Sequence, residues 1–400
     1  MRIAYLVSQY PAVNHTFILR EIRALRSQGF EIDIVSIRPP DRHPSALTGE
    51  ERQELARTRA IKDISIPGAL GAQVTEFLRR PAGYLGGLAL ALRMGRGGIP
   101  ATFAHLLYFA EAVIAGRWMM AGGYRHFHTH FSSTVALLIA RIFPLTFSMT
   151  IHGPEEFNDA AGFHIAEKVE AARLVVAISS YARSQILRCC PPSQWGKVVT
   201  CRLGVDGSVF EPRAEPAGGA PEILCVGRLA PVKAQHVLIE ALRLLRARGV
   251  NACLRLVGDG QDRPSLEAAA RQMGLTEHVH FDGWRNQDEV RARYRQATLF
   301  AMASFAEGIP VVLMEAMAME IPCVATRIMG IPELIEDGIS GLLTPPADAV
   351  PLADALERLL RDAALRARLG TEGRRRVLGH FDLTANCGSL GVLFRERLTR

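Results

Sequence analysis

From Glu222 to Pro346, short apolar runs alternate with stretches of helical pattern. The runs read EILCVGR, ACLRLVGDG, VHFDGW, ATLFAMAS, PCVAT and SGLLTPP. They are unbroken rather than alternately apolar and polar, as a strand must be when helices cover both faces of its sheet. Strand-helix-strand repetition predicts a parallel sheet with right-handed crossovers. The amino-terminal half opens in the same way. RIAYLV leads into a helix over HTFILREIRALRSQG, then EIDIVSI. Phe17, Leu19, Ile22 and Leu25 have helical spacing, and Gly29 marks the stop. A mainly helical stretch from about 44 to 122 follows, and strand signals return at YRHFHTHF, TFSMTIHG and LVVAISS. Two closing helices are expected, over 349–378 and 384–399. Between the halves, EPRAEPAGGAPE holds three prolines and two glycines and no large apolar residue, which reads as a linker. At 400 residues the chain exceeds one ordinary core. The expectation is therefore α/β, two doubly wound domains, with a ligand at the carboxyl ends of the strands in a cleft between them.

Composition removes several function classes. The formal charge of +7, from 47 basic and 40 acidic residues, gives a weak pull toward an anionic partner: a nucleotide, a lipid phosphate or a membrane surface. No basic run interleaved with aromatics points to nucleic acid. The seven cysteines show neither metal-ligand spacing nor a disulfide framework, so reduced cytosolic thiols are expected. MRIAYLVSQYP reads as a first strand and not as a signal peptide. The most apolar stretch, ATFAHLLYFAEAVIAGRWMMAGG, is interrupted by His105, Glu111 and Arg117, so no membrane span is expected. Arg79, Arg80, Arg93 and Arg96 lie between apolar stretches. They suit either a surface helix touching anionic lipid or ordinary helix packing. The expected location is cytoplasmic, at most peripheral on the inner face of a membrane.

Chemistry concentrates at strand ends. AEGIPVVLMEAMAMEIP lies between two strands, with Glu307 in the loop, the helix starting near Pro310 and Glu315 on the helix. The amides of Gly308, Ile309, Val311 and Val312 fall at the positive end of that helix, a natural anion site. Two carboxylates could face sugar hydroxyls; alternatively Glu307 is a helix cap and Glu315 a solvent-exposed residue. In VGRLAPVKAQHVLIEAL, Arg228 follows a strand and Lys233 opens the next helix, two cations for a diphosphate. LVGDG reads as a tight turn, and Trp284 and Arg285 follow a strand where they could meet a base or simply pack. In the first half, His152 stands at a strand end before Gly153. His126, His128 and His130 share one face of a strand. They fit a metal by type, but no carboxylate or cysteine stands near them at ligand spacing, so no metal is expected.

Together these stretches resemble the family 4 retaining glycosyltransferases, which have two Rossmann-like domains facing across a cleft, the GT-B fold. The resemblance is carried by VGRLAPVKAQHVLIEAL, LVGDG, EGIPVVLMEAMAMEIPCVAT and GIPELIEDGISGLLTPPAD. SQYPAVNHTFILREIRAL and HFHTHF look like the branch that builds exopolysaccharides of the colanic-acid type. The resemblance implies an acceptor-binding domain over 1–210, a nucleotide-sugar-binding domain over 220–382, and a last helix, 383–400, packed back on the first domain. Glu307 would contact the donor sugar, Glu315 the ribose, and Arg228 and Lys233 the diphosphate. The backbone from Gly308 through Pro310 to Val312 would hold its oxygens, and His152 would lie beside the transferred group. Asn14, His15 and Thr16 would serve the acceptor or phosphate side. The donor would be UDP- or GDP-linked and the acceptor a glycan or polyprenyl-linked hydroxyl, with no cofactor and no metal, in line with the absence of a D-x-D motif at a strand end. Two departures stand out. Ser8-Gln9-Tyr10-Pro11 replaces the family's Gly-Gly loop, and Ala234 stands where a glycine commonly follows the lysine. A sugar-nucleotide 2-epimerase of the same fold and a non-catalytic nucleotide-sugar-binding protein are the competing readings. A dinucleotide-dependent dehydrogenase is excluded, because no G-x-G-x-x-G follows the first strand.

Overall fold

The computed structural model describes residues 1–213 and 219–398. Residues 214–218 of the linker reading lie outside the described residues, as does the side chain of Asn14. The chain forms two compact units. One is Met1–Cys201 together with the chain from Cys387; the other is Arg202–Asn386.

The first unit holds a parallel sheet of β1 (Arg2–Gln9), β2 (Glu31–Arg38), β3 (Thr58–Ala60), β4 (His126–His130), β5 (Thr146–Ile151), β6 (Leu174–Ala177) and β7 (Val198–Thr200). Their order is β3-β2-β1-β4-β5-β6-β7. The unbroken apolar character of β1 has a direct cause. Ala4 and Leu6 enter the core on one face, while Ile3, Tyr5 and Val7 enter the core on the other. The sequence reading missed β3 and β7. Each is a three-residue edge strand, and neither TRA nor VVT is set off by the glycine and proline that frame a run such as SGLLTPP. The helix Leu383–Leu398 carries Phe394 into the second of these cores, fully buried. Burying one such side chain stabilises by about 2–3 kcal/mol. Arg395 adds a bond of 2.8 Å from its Nη2 to Gln28 O.

The second unit holds β8 (Glu222–Val226), β9 (Cys253–Val257), β10 (Val279–Gly283), β11 (Leu299–Met302), β12 (Cys323–Thr326) and β13 (Leu342–Thr344), in the order β10-β9-β8-β11-β12-β13. All pairings in both sheets are parallel. Each unit thus runs outward from its first strand in one direction, then jumps back to the other side of that strand. The jump leaves a crevice where two neighbouring loops diverge, and in open α/β sheets this is where ligands bind. It lies between β1 and β4 in the first unit and between β8 and β11 in the second.

Two expected elements are corrected. The single helix over 349–378 is two helices, Ala349–Arg361 and Ala363–His380. Asp362 caps the second by accepting from the Leu365 amide at 2.8 Å. The helix expected from Lys233 starts at Gln235, after a short turn over Pro231–Lys233.

Candidate functional site

In the second unit, Arg228 and Lys233 lie in the loop after β8, and Glu307 lies in the loop after β11. These strands are direct neighbours, so the two loops meet. The Phe305 amide donates to Val232 O at 2.8 Å. Lys233 Nζ donates to Glu307 Oε1 at 2.6 Å, and Ser304 Oγ donates to the same oxygen at 2.7 Å. Glu307 is buried, and Lys233 is half-buried. A buried carboxylate is tolerated only when paired, and removing one partner of such a pair costs about 3–5 kcal/mol. Glu307 is therefore neither a helix cap nor a solvated acid. Arg228 is exposed beside this pair in sequence, and its carbonyl accepts from Gln235 Nε2 at 3.0 Å.

Two glycines hold these loops together through close approach. A Cβ on Gly260 of LVGDG would stand 2.1 Å from Leu229 O, in the Arg228 loop. A Cβ on Gly330 would stand 2.1 Å from Gly308 O, in the Glu307 loop. LVGDG is thus a buttress: the Leu229 amide donates to Asp259 O at 3.0 Å, and the Asp262 amide donates to Leu229 O at 3.1 Å.

The helix after Glu307 is Val311–Ala318, with Pro310 as its extended N-cap. The Leu313 and Met314 amides turn back to Pro310 O, at 3.1 and 3.3 Å. The amides of Val311 and Val312 precede any intrahelical acceptor, as at every helix start. Ile309 and Pro310 are buried, and Gly308 is half-exposed. Glu315 sits in the same helix and is buried, which removes the solvent-exposed alternative. The Tyr294 hydroxyl donates to Val312 O at 2.9 Å and reaches Glu315 Oε2 at 3.3 Å. Trp284 and Arg285 lie after β10, the outermost strand, two strands from β8. Trp284 is exposed, and Arg285 pairs with Glu289 at 3.5 Å.

Ala234, at the position where glycine was noted as commoner, adopts a left-handed conformation with φ +50°. Such a conformation costs an L-residue roughly 1–2 kcal/mol, while glycine loses about 0.4–1 kcal/mol more in unfolded-chain entropy. Ala234→Gly is therefore expected to stabilise the second unit, by about 0.5–1 kcal/mol. A urea titration followed through Trp284 would check this; a lower midpoint for the variant would contradict it.

The first unit carries a second cluster, at the ends of β1, β4 and β5. His130 Nδ1 lies 2.8 Å from His152 Nε2, and His130 Nε2 lies 3.2 Å from Glu21 Oε1. The Tyr5 hydroxyl donates to Glu21 Oε1 at 2.9 Å. A carboxylate accepts, so the His130 Nε2 carries the proton. His130 Nδ1 and His152 Nε2 share one hydrogen bond, which leaves the other ring nitrogen of His152, Nδ1. That atom is buried and has no hydrogen-bond partner among the described residues. Burial holds the His152 pKa well below its ordinary value, with the nearby His130 adding to the effect. His152 is thus a neutral ring with one unpartnered nitrogen among the described residues. The Phe131 ring lies between two imidazoles, 4.6 Å from His152 and 4.8 Å from His15. His15 Nδ1 approaches Gln9 O at 3.0 Å, and Thr16 opens the helix Thr16–Ser27.

Glu21 corrects the expectation that no carboxylate stands near the strand histidines. Ligand atoms of Glu21, His128 and His130 lie within 4.8 Å of one another. These residues could hold a metal by type, yet their ring nitrogens already have partners. His128 meets Ser148 Oγ at 2.8 Å and Thr150 Oγ1 at 3.0 Å, while His130 is bonded as above. A metal would have to displace those bonds. The sequence did carry a signal for Glu21: it shares the buried helix face of Ile18, Ile22 and Leu25, where an acid needs a partner.

Residues 210–376 match the glycosyl transferases group 1 family, so the second unit carries a group 1 glycosyltransferase domain. Over nearly its whole length the chain is similar to the colanic acid and amylovoran glycosyltransferases. It is 29% identical over 399 residues to WcaL of Salmonella typhimurium, which is named for colanic acid biosynthesis, covering 96% of this chain and 97% of the relative. It is 26% identical over 386 residues to the amylovoran biosynthesis glycosyltransferase AmsK of Erwinia amylovora, covering 91% and 92%. The fold is that of the GT-B glycosyltransferases. Anabaena HepE, solved with UDP, matches with a TM-score of 0.74 at 18% identity, covering 99% of this chain and all of HepE. Sucrose-phosphate synthase of Thermosynechococcus elongatus matches with a TM-score of 0.76 at 20% identity, covering 100% and 99%.

Proposed function

We propose that this chain is a retaining glycosyltransferase of family 4. It moves a hexosyl group from a nucleoside-diphosphate sugar to a hydroxyl of a glycan or lipid-linked acceptor in bacterial exopolysaccharide biosynthesis. The observation that carries the reading is the Lys233–Glu307 pair at the β8/β11 crevice, within a group 1 domain. The relatives named for colanic acid and amylovoran support the pathway class. HepE, solved with UDP-glucose, supports the donor class.

In this reading the diphosphate lies against the start of the helix Val311–Ala318, flanked by Arg228 and Lys233. The bond from sugar C1 to the diphosphate oxygen breaks, and negative charge grows on the leaving group. Fixed cations and oriented amides stabilise that charge where it develops. The acceptor oxygen bonds to C1 from the face the diphosphate leaves, and its proton passes to the departing phosphate. Glu307 accepts from donor-sugar hydroxyls, Glu315 serves the ribose, and Trp284 and Arg285 serve the base. Cationic side chains and amides take the role of a metal. On the first unit, His152 Nδ1 accepts from a hydroxyl of the transferred sugar, and Asn14, His15 and Thr16 serve the acceptor or phosphate.

The test is a screen of UDP-, GDP- and TDP-sugars for thermal stabilisation and hydrolysis, with Glu315→Gln as control. Glutamine keeps the buried volume and the Tyr294 contact while removing the charge. One nucleotide class is expected to raise the melting temperature of the native chain, and the shift is expected to shrink in the variant. No response to any of them would leave a fold without a working donor site.

A further inference from the structure

The helices of residues 66–107 present apolar side chains outward, the reverse of an ordinary surface helix. In the helix Ile66–Arg79, the residues Ile66, Leu70, Val74 and Leu78 recur every fourth position and are all exposed, Ile66 at 78% and Leu78 at 71%. Its inward face buries only Ala72 and Glu76. In the helix Pro81–Met94, Leu85 and Leu92 are exposed. In the helix Ile99–Ala121, Ile99, Phe103 and Leu107 form one exposed stripe, with Ile99 at 88% and Phe103 at 63%. Exposed apolar side chains in such number on neighbouring helices mark an interaction surface.

Charge says what covers it. Residues 66–110 contain four arginines, Arg79, Arg80, Arg93 and Arg96, and one acid, Glu76. Glu76 is buried and pairs with Arg80 at 3.7 Å. Arg93 is paired with Glu167, so the exposed charge left among the apolar stripes, on Arg79 and Arg96, is basic. Apolar side chains set among arginines match an anionic lipid surface, where the chains enter the interface and the guanidinium groups meet phosphates.

The helix Ile99–Ala121 has 23 residues and, by length and composition alone, is apolar enough to cross a bilayer. Its second half excludes that here. Phe109, Ala112, Val113, Ala115 and Met119 belong to the core of the first unit. A span would have to pull them out of that core. The first half is exposed and the second half is anchored, so the helix lies on a surface and does not cross it.

We infer that this face docks the protein on the surface of an anionic bilayer. The inference does not depend on the transferase reading, because it uses none of the donor-site residues. Vesicle sedimentation tests it, with phosphatidylcholine alone and with phosphatidylcholine plus phosphatidylglycerol. Binding is expected only to the anionic vesicles and is expected to fall with salt. Arg79→Gln/Arg96→Gln is expected to weaken it about 30-fold, at roughly fivefold per arginine. Leu70→Asp/Leu78→Asp is expected to weaken it more than tenfold. Both pairs are exposed, so an unchanged melting temperature and unchanged donor response identify a folded variant. No binding of the native chain to anionic vesicles would overturn the inference. So would a dimer in solution that Leu70→Asp/Leu78→Asp splits without affecting vesicle binding, since a second copy would then be the occupant.

Discussion

Lys233→Ala is expected to lower turnover by about two to three orders of magnitude, the usual effect of removing one fixed group from a site of developing charge. The structure adds a complication that separates two roles. Lys233 is bonded to Glu307, and Glu307 is buried. The single variant therefore also leaves a buried carboxylate with Ser304 as its one bonded side chain among the described residues, at a cost of about 3–5 kcal/mol. Lost activity alone would not tell a missing cation from a displaced loop. Lys233→Ala/Glu307→Gln resolves this, because the glutamine carries no charge that needs a partner. The double variant is expected to recover most of the lost stability and none of the lost turnover. Denaturant midpoints and kcat, measured on the native chain and on all three variants, give the comparison. A double variant with turnover near that of the native chain would show that Lys233 serves only as a partner for Glu307, and the role at the diphosphate would be withdrawn.

The first unit is expected to be unstable in acid, by an amount that rivals a domain's whole stability. Burial holds His126 down to about 3, and holds His128 and His152 well below their ordinary value. In the folded state these three rings stay neutral as pH falls. In the unfolded chain they take up protons near pH 6.5. Stability from depressed groups is present above the unfolded value and is lost as pH falls, by about 1.4 kcal/mol per pH unit for each ring. Glu156 works against this: burial raises it to about 7, so the folded state gains protons there first. Lys168, lowered by burial to about 8, is charged in both states below that pH and adds no slope. Glu111 is also raised by burial and offsets in the same direction as Glu156. His15, also lowered by burial, adds to the loss from the three rings. The three rings alone, against these offsets, leave a net loss of roughly 4–5 kcal/mol between pH 6.5 and pH 4.5. Total domain stabilities are about 5–15 kcal/mol. A Trp284→Phe variant leaves Trp118 and Trp195, both in the first unit, as reporters for urea titrations at a series of pH values. The midpoint is expected to drop steeply below pH 6, and His128→Gln is expected to flatten the net slope by about half. A midpoint constant from pH 6.5 to 4.5 would contradict the buried neutral histidines.

The strand histidines have a structural context that accounts for their burial. The strand pattern HFHTH places all three on one face, and Thr146, Ser148 and Thr150 of β5 stand opposite them in register. Each hydroxyl meets an imidazole, with His126 Nδ1 2.8 Å from Thr146 Oγ1. The ladder ends at His130, whose second partner is the ring of His152. The buried imidazoles thus form a rigid support for the ring whose Nδ1 has no partner among the described residues.

Much of this protein was legible in its residues. Unbroken runs such as LFAM and CVAT can only be strands covered on both faces, so two parallel α/β units followed from pattern alone. Glu307, Lys233 and the helix start at Val311 were visible because strand-end loops carry their own punctuation in glycine and proline. Local pattern did not show the edge strands β3 and β7, which lack the flanking turn residues that marked the equally short β13, nor the capped break at Asp362. Nor could it show which loops meet. Lys233 and Glu307 are 74 residues apart, and His130 and Glu21 are 109 apart. Each pair touches because β11 lies beside β8 and β4 lies beside β1. Sequence period sets which face of a strand is buried, but strand order is set by how helices pack across the sheet. The elements were therefore written locally, and the partners of the buried charges were decided by the tertiary fold.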